Sequence, residues 1–267
     1  MQVTAQNRAS DRLAPLPQPR PDRALEAAIA NDAIAIRFQP QVEAMSGRLA
    51  GVEALARWPG ALGPADLFER AARSGLTERL SRHVQQKALR EAAAWGKILD
   101  GVRLSLNCVA EDLLRPGYEH WLLAILHESG FDPSRLTLEI TESSLVSEWE
   151  NVGARLDTLR AAGVAIAIDD FGTGYANLAY LTSLPLDALK IDRGLLADIE
   201  TGRRDQIVVR TMIGLARELG LKVVVEGVES VAQRDLVRLW GGDLIQGFLI
   251  AQALDTDALT AFASDHA

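Results

Sequence analysis

VAIAIDDFGTG, Val164 to Gly174, is the stretch whose reading decides the fold. Val164, Ile166 and Ile168 alternate with small residues, the pattern of a strand buried on both faces. The strand delivers two adjacent carboxylates, Asp169 and Asp170, and then breaks at Gly172 and Gly174. Side chains on an ideal strand alternate between faces, so neighbouring aspartates diverge. At the strand's very end, where the chain begins to turn, both can be aimed at one site. Adjacent carboxylates repel, and a divalent cation relieves that repulsion most cheaply. An Asp-Asp turn with glycines supplying positive φ is the plain alternative. The other strand ends decide between the two.

Outward from this stretch, strand-like and helix-like patterns alternate. Upstream, AIAIRFQP (Ala33 to Pro40) alternates Ile34, Ile36 and Phe38 and finishes at Gln39, and GRLAGVEALARW (Gly47 to Trp58) holds a strand ending around Glu53. VRLSLN (Val102 to Asn107) and LTLEIT (Leu136 to Thr141) follow. Downstream come ALKID (Ala188 to Asp192), KVVVEG (Lys222 to Gly227) and DLIQG (Asp243 to Gly247). Helical patterns cover Arg23 to Ala30, Pro64 to Trp95, a tract with Leu113, Leu114, Trp121, Leu122 and Ile125, and Trp149 to Ala162. A short helix is expected after the Asp-Asp strand. QIVVRTMIGLAREL, closed by Gly220, and a tract to about Trp240 complete the set. Eight strand-like runs, most followed by a helix, predict an α/β fold, a TIM-type (β/α)8 barrel. The link through Gly47 between the first two runs is too short for a helix, which allows one strand near the start to run antiparallel.

Composition agrees with one such domain. The 267 residues suit a barrel of roughly 250 residues, and a 48% hydrophobic content supplies its core. Pro15, Pro17, Pro19 and Pro21 make residues 1–22 an extended tail or linker, leaving 23–267 for the barrel. A net charge of -8 argues against binding a nucleic-acid polymer. The single cysteine, Cys108, excludes an internal disulfide and a cysteine-based zinc cluster. Neither a membrane-length apolar run nor a signal-peptide pattern is present, so a cytoplasmic protein is expected.

The C-terminal ends of the runs carry Gln39, Glu53, Asn107, Glu139, Asp169 with Asp170, Lys190, Glu226 and Gln246. In a barrel of this kind those ends converge on one face, where catalytic groups lie. Each has a mundane explanation alone; together they predict a polar site. Glu53, Asn107, Glu139, Asp169 and Asp170 are all oxygen donors, a set suited to Mg²⁺ or Mn²⁺ and enough for two ions. The four histidines, His83, His120, His127 and His266, receive no role. Lysine is scarce, with only Lys87, Lys97 and Lys222 besides Lys190, and a compact ammonium at a strand end orients a water or a phosphoryl oxygen. Glu226, followed by Gly227, is the candidate general base.

These residues carry a resemblance. Over about residues 24 to 255 the chain resembles the EAL family of cyclic di-GMP phosphodiesterases. The signature stands at Glu53, Ala54 and Leu55, and FQP, SLN, LEITE, DDFGTGYANL, LKIDR, VEGVE and IQG follow in family order. The resemblance implies that Glu53, Asn107, Glu139 and Asp169 bind metal, with Asp169 and Asp170 reaching a second ion. It implies that Lys190 positions the attacking water and that Glu226 is the base. Gln39, Arg57 and Gln246 match positions that contact the phosphate or guanine. Glu142 and Glu229 resemble supporting glutamates outside the ligand set, the first holding the DDFGTGYANL loop. The implied activity is hydrolysis of cyclic di-GMP to linear pGpG, by a homodimer under an upstream regulatory domain or partner. The alternative is a catalytically silent cyclic di-GMP receptor. Four positions depart from the family pattern: Ala72 in place of a glutamate, Val109 in place of a serine, Val225 in place of an alanine and Ala253 in place of a proline. None removes an implied ligand or the base.

Overall fold

The structure, a computed structural model, describes residues 20–141, 149–172 and 178–266. Eight strands close into a barrel in chain order. They are β1 (Ala35–Glu43), β2 (Leu49–Arg57), β3 (Arg103–Cys108), β4 (Leu136–Thr141), β5 (Ala165–Phe171), β6 (Ala188–Ile191), β7 (Lys222–Val225) and β8 (Leu244–Ile245). Neighbours from β2 to β8 are parallel, whereas β1 is antiparallel to both β2 and β8. The barrel and its reversed strand agree with the expectation from sequence. Of the expected tail over residues 1–22, only the last three positions are among the described residues.

The reversal has a local cause. Between Glu43 and Leu49 the chain turns back at once, with Gly47 at φ 76° and the Gly47 amide donating to the Glu43 carbonyl at 2.8 Å. A parallel return needs a crossover of a dozen or more residues, so this link permits only a hairpin. β1 also runs on to Glu43, past the expected end at Gln39. Phe38 exchanges backbone hydrogen bonds with Leu254 at 2.7 and 2.8 Å, on the edge of β1 away from β2. Pro40, two residues further, faces that same edge, in the gap before the β8 pairing begins at Val42. Its missing N–H therefore costs no ladder bond.

Helices fill the outer layer: α1 (Arg23–Ala30), α2 (Pro64–Ser74), α3 (Thr77–Ala93), α4 (Ala110–Leu114), α5 (Tyr118–Ser129), α6 (Trp149–Ala161), α7 (Leu178–Ser183), α8 (Arg203–Glu218), α9 (Val231–Trp240) and α10 (Thr256–Asp265). The tract expected as one helix from Pro64 to Trp95 is two, because Gly75 adopts φ 70° and caps α2. Gly117 at φ 80° likewise separates α4 from α5. Among the described residues no helix is long and apolar enough to cross a membrane.

Strand alternation sorts the side chains into two sets. Leu104, Leu106, Leu138, Ile140, Ile166, Ile168, Leu189, Ile191, Val223 and Val225 are buried in the core, under the helices. The alternate residues, among them Ser105, Asn107, Glu139, Ala167, Asp169, Lys190 and Val224, turn into the barrel. Polar groups thus collect inside a shell of aliphatic packing.

The exit from β8 leaves no room for a side chain. Gly247 stands at φ 157°, and a Cβ there would lie 2.2 Å from the Val228 carbonyl oxygen and 2.3 Å from its nitrogen. Both obstacles are backbone, held by the Val228 amide on the Gln246 carbonyl at 3.0 Å. Gly247→Ala is therefore expected to destabilise the protein by about 2 kcal/mol or more. In thermal unfolding this is a fall in Tm of about 5 °C or more.

Candidate active site

Lys190, on β6, is the centre of the polar layer. Its ammonium lies 2.7 Å from Glu139 Oε2, 3.2 Å from Asp169 Oδ1, 2.5 Å from Glu226 Oε1 and 3.7 Å from Glu53 Oε2. These groups arrive from β2, β4, β5, β6 and the residue after β7, brought together by closure of the barrel. Lys190 and Glu139 are each only 1% exposed, while the Glu226 side chain is 19% exposed. Amides complete the layer. Asn107 Nδ2 donates to Glu53 Oε1 at 2.8 Å, and Gln246 Nε2 donates to Glu53 Oε2 at 2.7 Å and to Gln39 Oε1 at 3.2 Å.

The Asp-Asp pair is resolved by a backbone irregularity. The β5–β6 register breaks between Ile168 and Phe171, and Asp170 adopts φ 57°. A left-handed conformation is costly for a residue other than glycine, and such strain gathers at functional sites. It ends the alternation of side chains at Asp169 and Asp170. Asp169 reaches Lys190, while half-buried Asp170 lies close enough to feel the charges of Asp169, Asp192 and Lys190.

Electrostatics set the protonation of the layer. Burial pushes the Glu139 carboxyl well above its ordinary range; the carboxylates of Glu53, Asp169 and Glu226 add to this, and Lys190 opposes it. Burial also raises Glu226, to about 7, with Lys190 again opposing. At Glu53 burial acts upward but loses to Lys190 and to the amide donors Gln246 and Asn107, so its carboxyl is held low. Burial opposes the Lys190 ammonium too, yet the surrounding carboxylates hold its pKa well above the usual value.

The donor chemistry fits a divalent cation. Four carboxylates face one ammonium, an excess of negative charge in a buried place. Glu226 Oε1, although close to Lys190, is a buried oxygen with no hydrogen-bond partner among the described residues. All-oxygen groups of this kind suit Mg²⁺ or Mn²⁺. Among the described residues no three His, Cys, Asp or Glu side chains are grouped ready to enclose an ion. Here the Lys190 ammonium takes the middle, and the carboxylates turn toward it.

The remaining residues singled out from sequence are placed as follows. Gln39 stands opposite Glu53 in the β1–β2 register. Arg57 shares the Glu53 face of β2, four residues nearer the mouth, with its Nη1 on the Ala56 carbonyl at 3.0 Å. Glu229 is not brought into the layer: its side chain is exposed beside the start of α9, and its amide donates to Gln233 Oε1 at 2.8 Å. Glu142 lies outside the described residues, as do residues 173–177 of the DDFGTGYANL loop. Ala72 is exposed on α2, and Val109 occupies the N-cap of α4, where no side chain caps the helix.

Two supports escape a reading of strand ends. Gln41, beyond the expected end of β1, donates from Nε2 to Gln246 Oε1 at 2.9 Å. Gln85, buried on α3, donates from Nε2 to the Asn107 carbonyl at 3.0 Å and accepts from the Tyr118 hydroxyl at 3.1 Å. The β2–β3 pairing ends at Ala54 and Leu106, one residue short of Asn107, and Gln85 takes up the Asn107 carbonyl there. The only signal in the sequence is a polar pair, Ser81 and Gln85, at core spacing on a helix.

A closed barrel with one reversed strand and a carboxylate layer at its mouth defines a class of TIM-type barrel domains. The EAL domain family model matches residues 22–253, and the chain belongs to that family. The chain is 35% identical over 243 residues to cyclic di-GMP phosphodiesterase NbdA of Pseudomonas aeruginosa, covering 89% of this chain and 31% of that protein. It is 38% identical over 248 residues to an uncharacterized signaling protein of Caulobacter vibrioides, covering 91% and 30%. The chain thus spans about a third of the length of these relatives. Among solved structures, the PaMucR phosphodiesterase in complex with cyclic di-GMP matches with a TM-score of 0.82 and 34% identity, over 89% of this chain and 98% of that one.

The raised Glu226 carboxyl yields a prediction for protein kept in EDTA. A carboxyl whose folded pKa exceeds its unfolded value contributes stability that is full below about 4.5 and lost as pH rises through about 7. The loss is on the order of 3 kcal/mol. Glu226→Gln lacks this titration, so its Tm should rise relative to wild type as pH increases from 4.5 to 7. A constant difference across that range would contradict the assignment.

Proposed function

We propose that this domain hydrolyses cyclic di-GMP to linear pGpG, with two Mg²⁺ or Mn²⁺ ions held by Glu53, Asn107, Glu139, Asp169 and Asp170. The observation that carries this reading is the ring of four carboxylates about Lys190 at the mouth of an EAL barrel. The substrate is supported by relatives named as cyclic di-GMP phosphodiesterases and by the PaMucR complex. When bound, the ions neutralise charge on the phosphate and acidify water.

The chain's own residues supply the rest. The attacking water's oxygen forms its bond to phosphorus as the bond to the 3′ oxygen breaks; one water proton passes to Glu226, and the departing 3′ oxygen takes a proton from solvent to leave as the hydroxyl. A carboxyl with a pKa of about 7 is poised for that transfer near neutral pH. Lys190, held charged by its neighbours, donates hydrogen bonds that orient the water and a phosphoryl oxygen. Gln39 and Gln246 present amides beside Glu53, and Arg57 presents a guanidinium toward the phosphate or guanine. The reading extends to a homodimer, as the family resemblance implies, and to a cytoplasmic protein open to an upstream regulatory domain or partner.

Product analysis with binding calorimetry tests the proposal. Wild type should convert cyclic di-GMP to pGpG, stop in EDTA and recover with Mg²⁺ or Mn²⁺. Glu226→Gln should keep its affinity for cyclic di-GMP and lose about 100-fold or more in turnover. Lys190→Ala should lose about as much. Tight binding by wild type with no turnover at high enzyme concentration would overturn the proposal in favour of a receptor.

A further inference from the structure

The loop that leads from Arg57 out of the barrel mouth has little structure of its own. Over residues 58–63, between β2 and α2, its internal backbone bonding among the described residues is one turn, the Ala61 amide donating to the Trp58 carbonyl at 3.0 Å. Arg57 has no ion-pair partner among the described residues, and its guanidinium rests on the carbonyl of the preceding residue, Ala56, at 3.0 Å. Where that guanidinium stands is therefore set by the backbone on either side of it.

The helix that follows supplies what the loop lacks. Leu67 and Ala71 are fully buried and fix α2 on the core. From α2, Arg70 reaches three elements at once. Its Nη1 donates to the Gly60 carbonyl in the loop, and its guanidinium carbon lies 4.8 Å from the centre of the Trp58 ring. Its Nε and Nη2 donate to Asp22 Oδ2 at 3.0 and 2.7 Å. Asp22 is the N-cap of α1, and its other oxygen accepts from the Leu25 amide at 3.0 Å. The loop is packed closely against the same indole, because a Cβ on Gly60 would strike the Trp58 ring. Asp66 adds a second tie from α2, accepting from the Leu62 amide at 3.0 Å.

An isolated Arg–Asp pair near the surface contributes little to stability. A guanidinium that meets a carboxylate, a carbonyl and an indole face together instead fixes their relative positions, through its planar fork and its attraction to the ring. Trp58 directly follows Arg57, and Arg57 shares with Glu53 the face of β2 that turns into the barrel. The contacts of Arg70 thus end one residue from a group at the mouth.

We propose that Arg70 is a positioning residue for the substrate. By holding Trp58 and Gly60 it sets the Arg57 guanidinium at the mouth, and through Asp22 it couples that placement to the start of α1. The inference rests on the reading that this mouth binds cyclic di-GMP. Arg70 touches no reacting group and acts through Arg57. A displacement of the segment leading into Asp22 reaches Arg57 along the same contacts, so substrate affinity is the property open to control from that side.

The test is calorimetric titration of cyclic di-GMP in the Glu226→Gln background, with KM and kcat measured alongside in the otherwise wild-type chain. Arg70→Ala should raise Kd and KM about tenfold and change kcat by less than about twofold, the signature of binding shared by ground and transition states. Mn²⁺ affinity, read by electron paramagnetic resonance, should stay unchanged, because Glu53 lies deeper in β2. Arg70→Lys keeps the charge without the fork and should recover part of the loss. Gly60→Ala, which displaces the Trp58 ring from the loop side, should also raise Kd, and Asp22→Ala should raise it about threefold. In Arg57→Ala protein, Arg70→Ala should add less than about twofold, since the group it places is gone. Kd unchanged in both Arg70→Ala and Gly60→Ala, additive effects of Arg57→Ala and Arg70→Ala, or a matching fall in Mn²⁺ affinity would overturn the inference and leave the reading of the mouth intact. Kd unchanged in Asp22→Ala would overturn the coupling to α1. No binding of cyclic di-GMP by the parent protein would overturn the inference together with the reading it rests on.

Discussion

Among the described residues, the Lys190 ammonium is the one positive charge in ion-pair contact with the buried carboxylates of Glu53, Glu139, Asp169 and Glu226. In a low-dielectric interior an isolated charge is costly, and an ion pair repays its desolvation only when geometry and hydrogen bonding are good. Here one cation serves four acids, so repulsion among the acids is only partly met. The layer responds in two ways: Glu139 and Glu226 are driven toward their neutral forms, while Glu53 stays ionised under two amide donors and Lys190. Such a cluster is poorly suited to stabilising a fold. It is well suited to taking up further positive charge, which is the physical basis of the proposed metal site.

The barrel makes this arrangement possible by separating the two duties of each strand. One face packs aliphatic side chains under the helices, and the other carries the chemistry inside. Reversal of β1 does not disturb the layer, because Gln39 enters it from mid-strand, level with Glu53. The same architecture leaves small residues beneath the layer. The floor of the catalytic end is therefore joined to the opposite mouth by hydrogen-bonded glutamines instead of packed branched side chains.

Much of this was legible in the sequence, but unevenly. Asn107, Lys190, Glu226 and Gln246 stand at or next to strand ends, as the alternation of runs implies. Glu53 and Glu139 lie inside their strands, two or more residues before the ends, and Gln39 belongs to a strand that points the other way. Their membership of one layer depends on register and barrel stagger, which no single strand encodes. The continuation of β1 through Pro40 is not visible in the run itself, because the edge that tolerates the proline is created by Leu254, more than two hundred residues away. The break of the helical tract at Gly75 and the positive φ of Asp170 depend on backbone geometry to which the residue types only hint. Gln41 and Gln85 act through partners on other elements, and their own neighbours in sequence give no reason to choose them.

The central claim is that the layer around Lys190 exists to hold divalent cations. Anomalous diffraction from crystals grown with Mn²⁺ tests it most directly. The account predicts anomalous peaks among Glu53, Asn107, Glu139 and Asp169, with the carboxylates turned from Lys190 toward the ions. Saturating Mn²⁺ with no peak in this layer, and Lys190 still bridging all four acids, would contradict it.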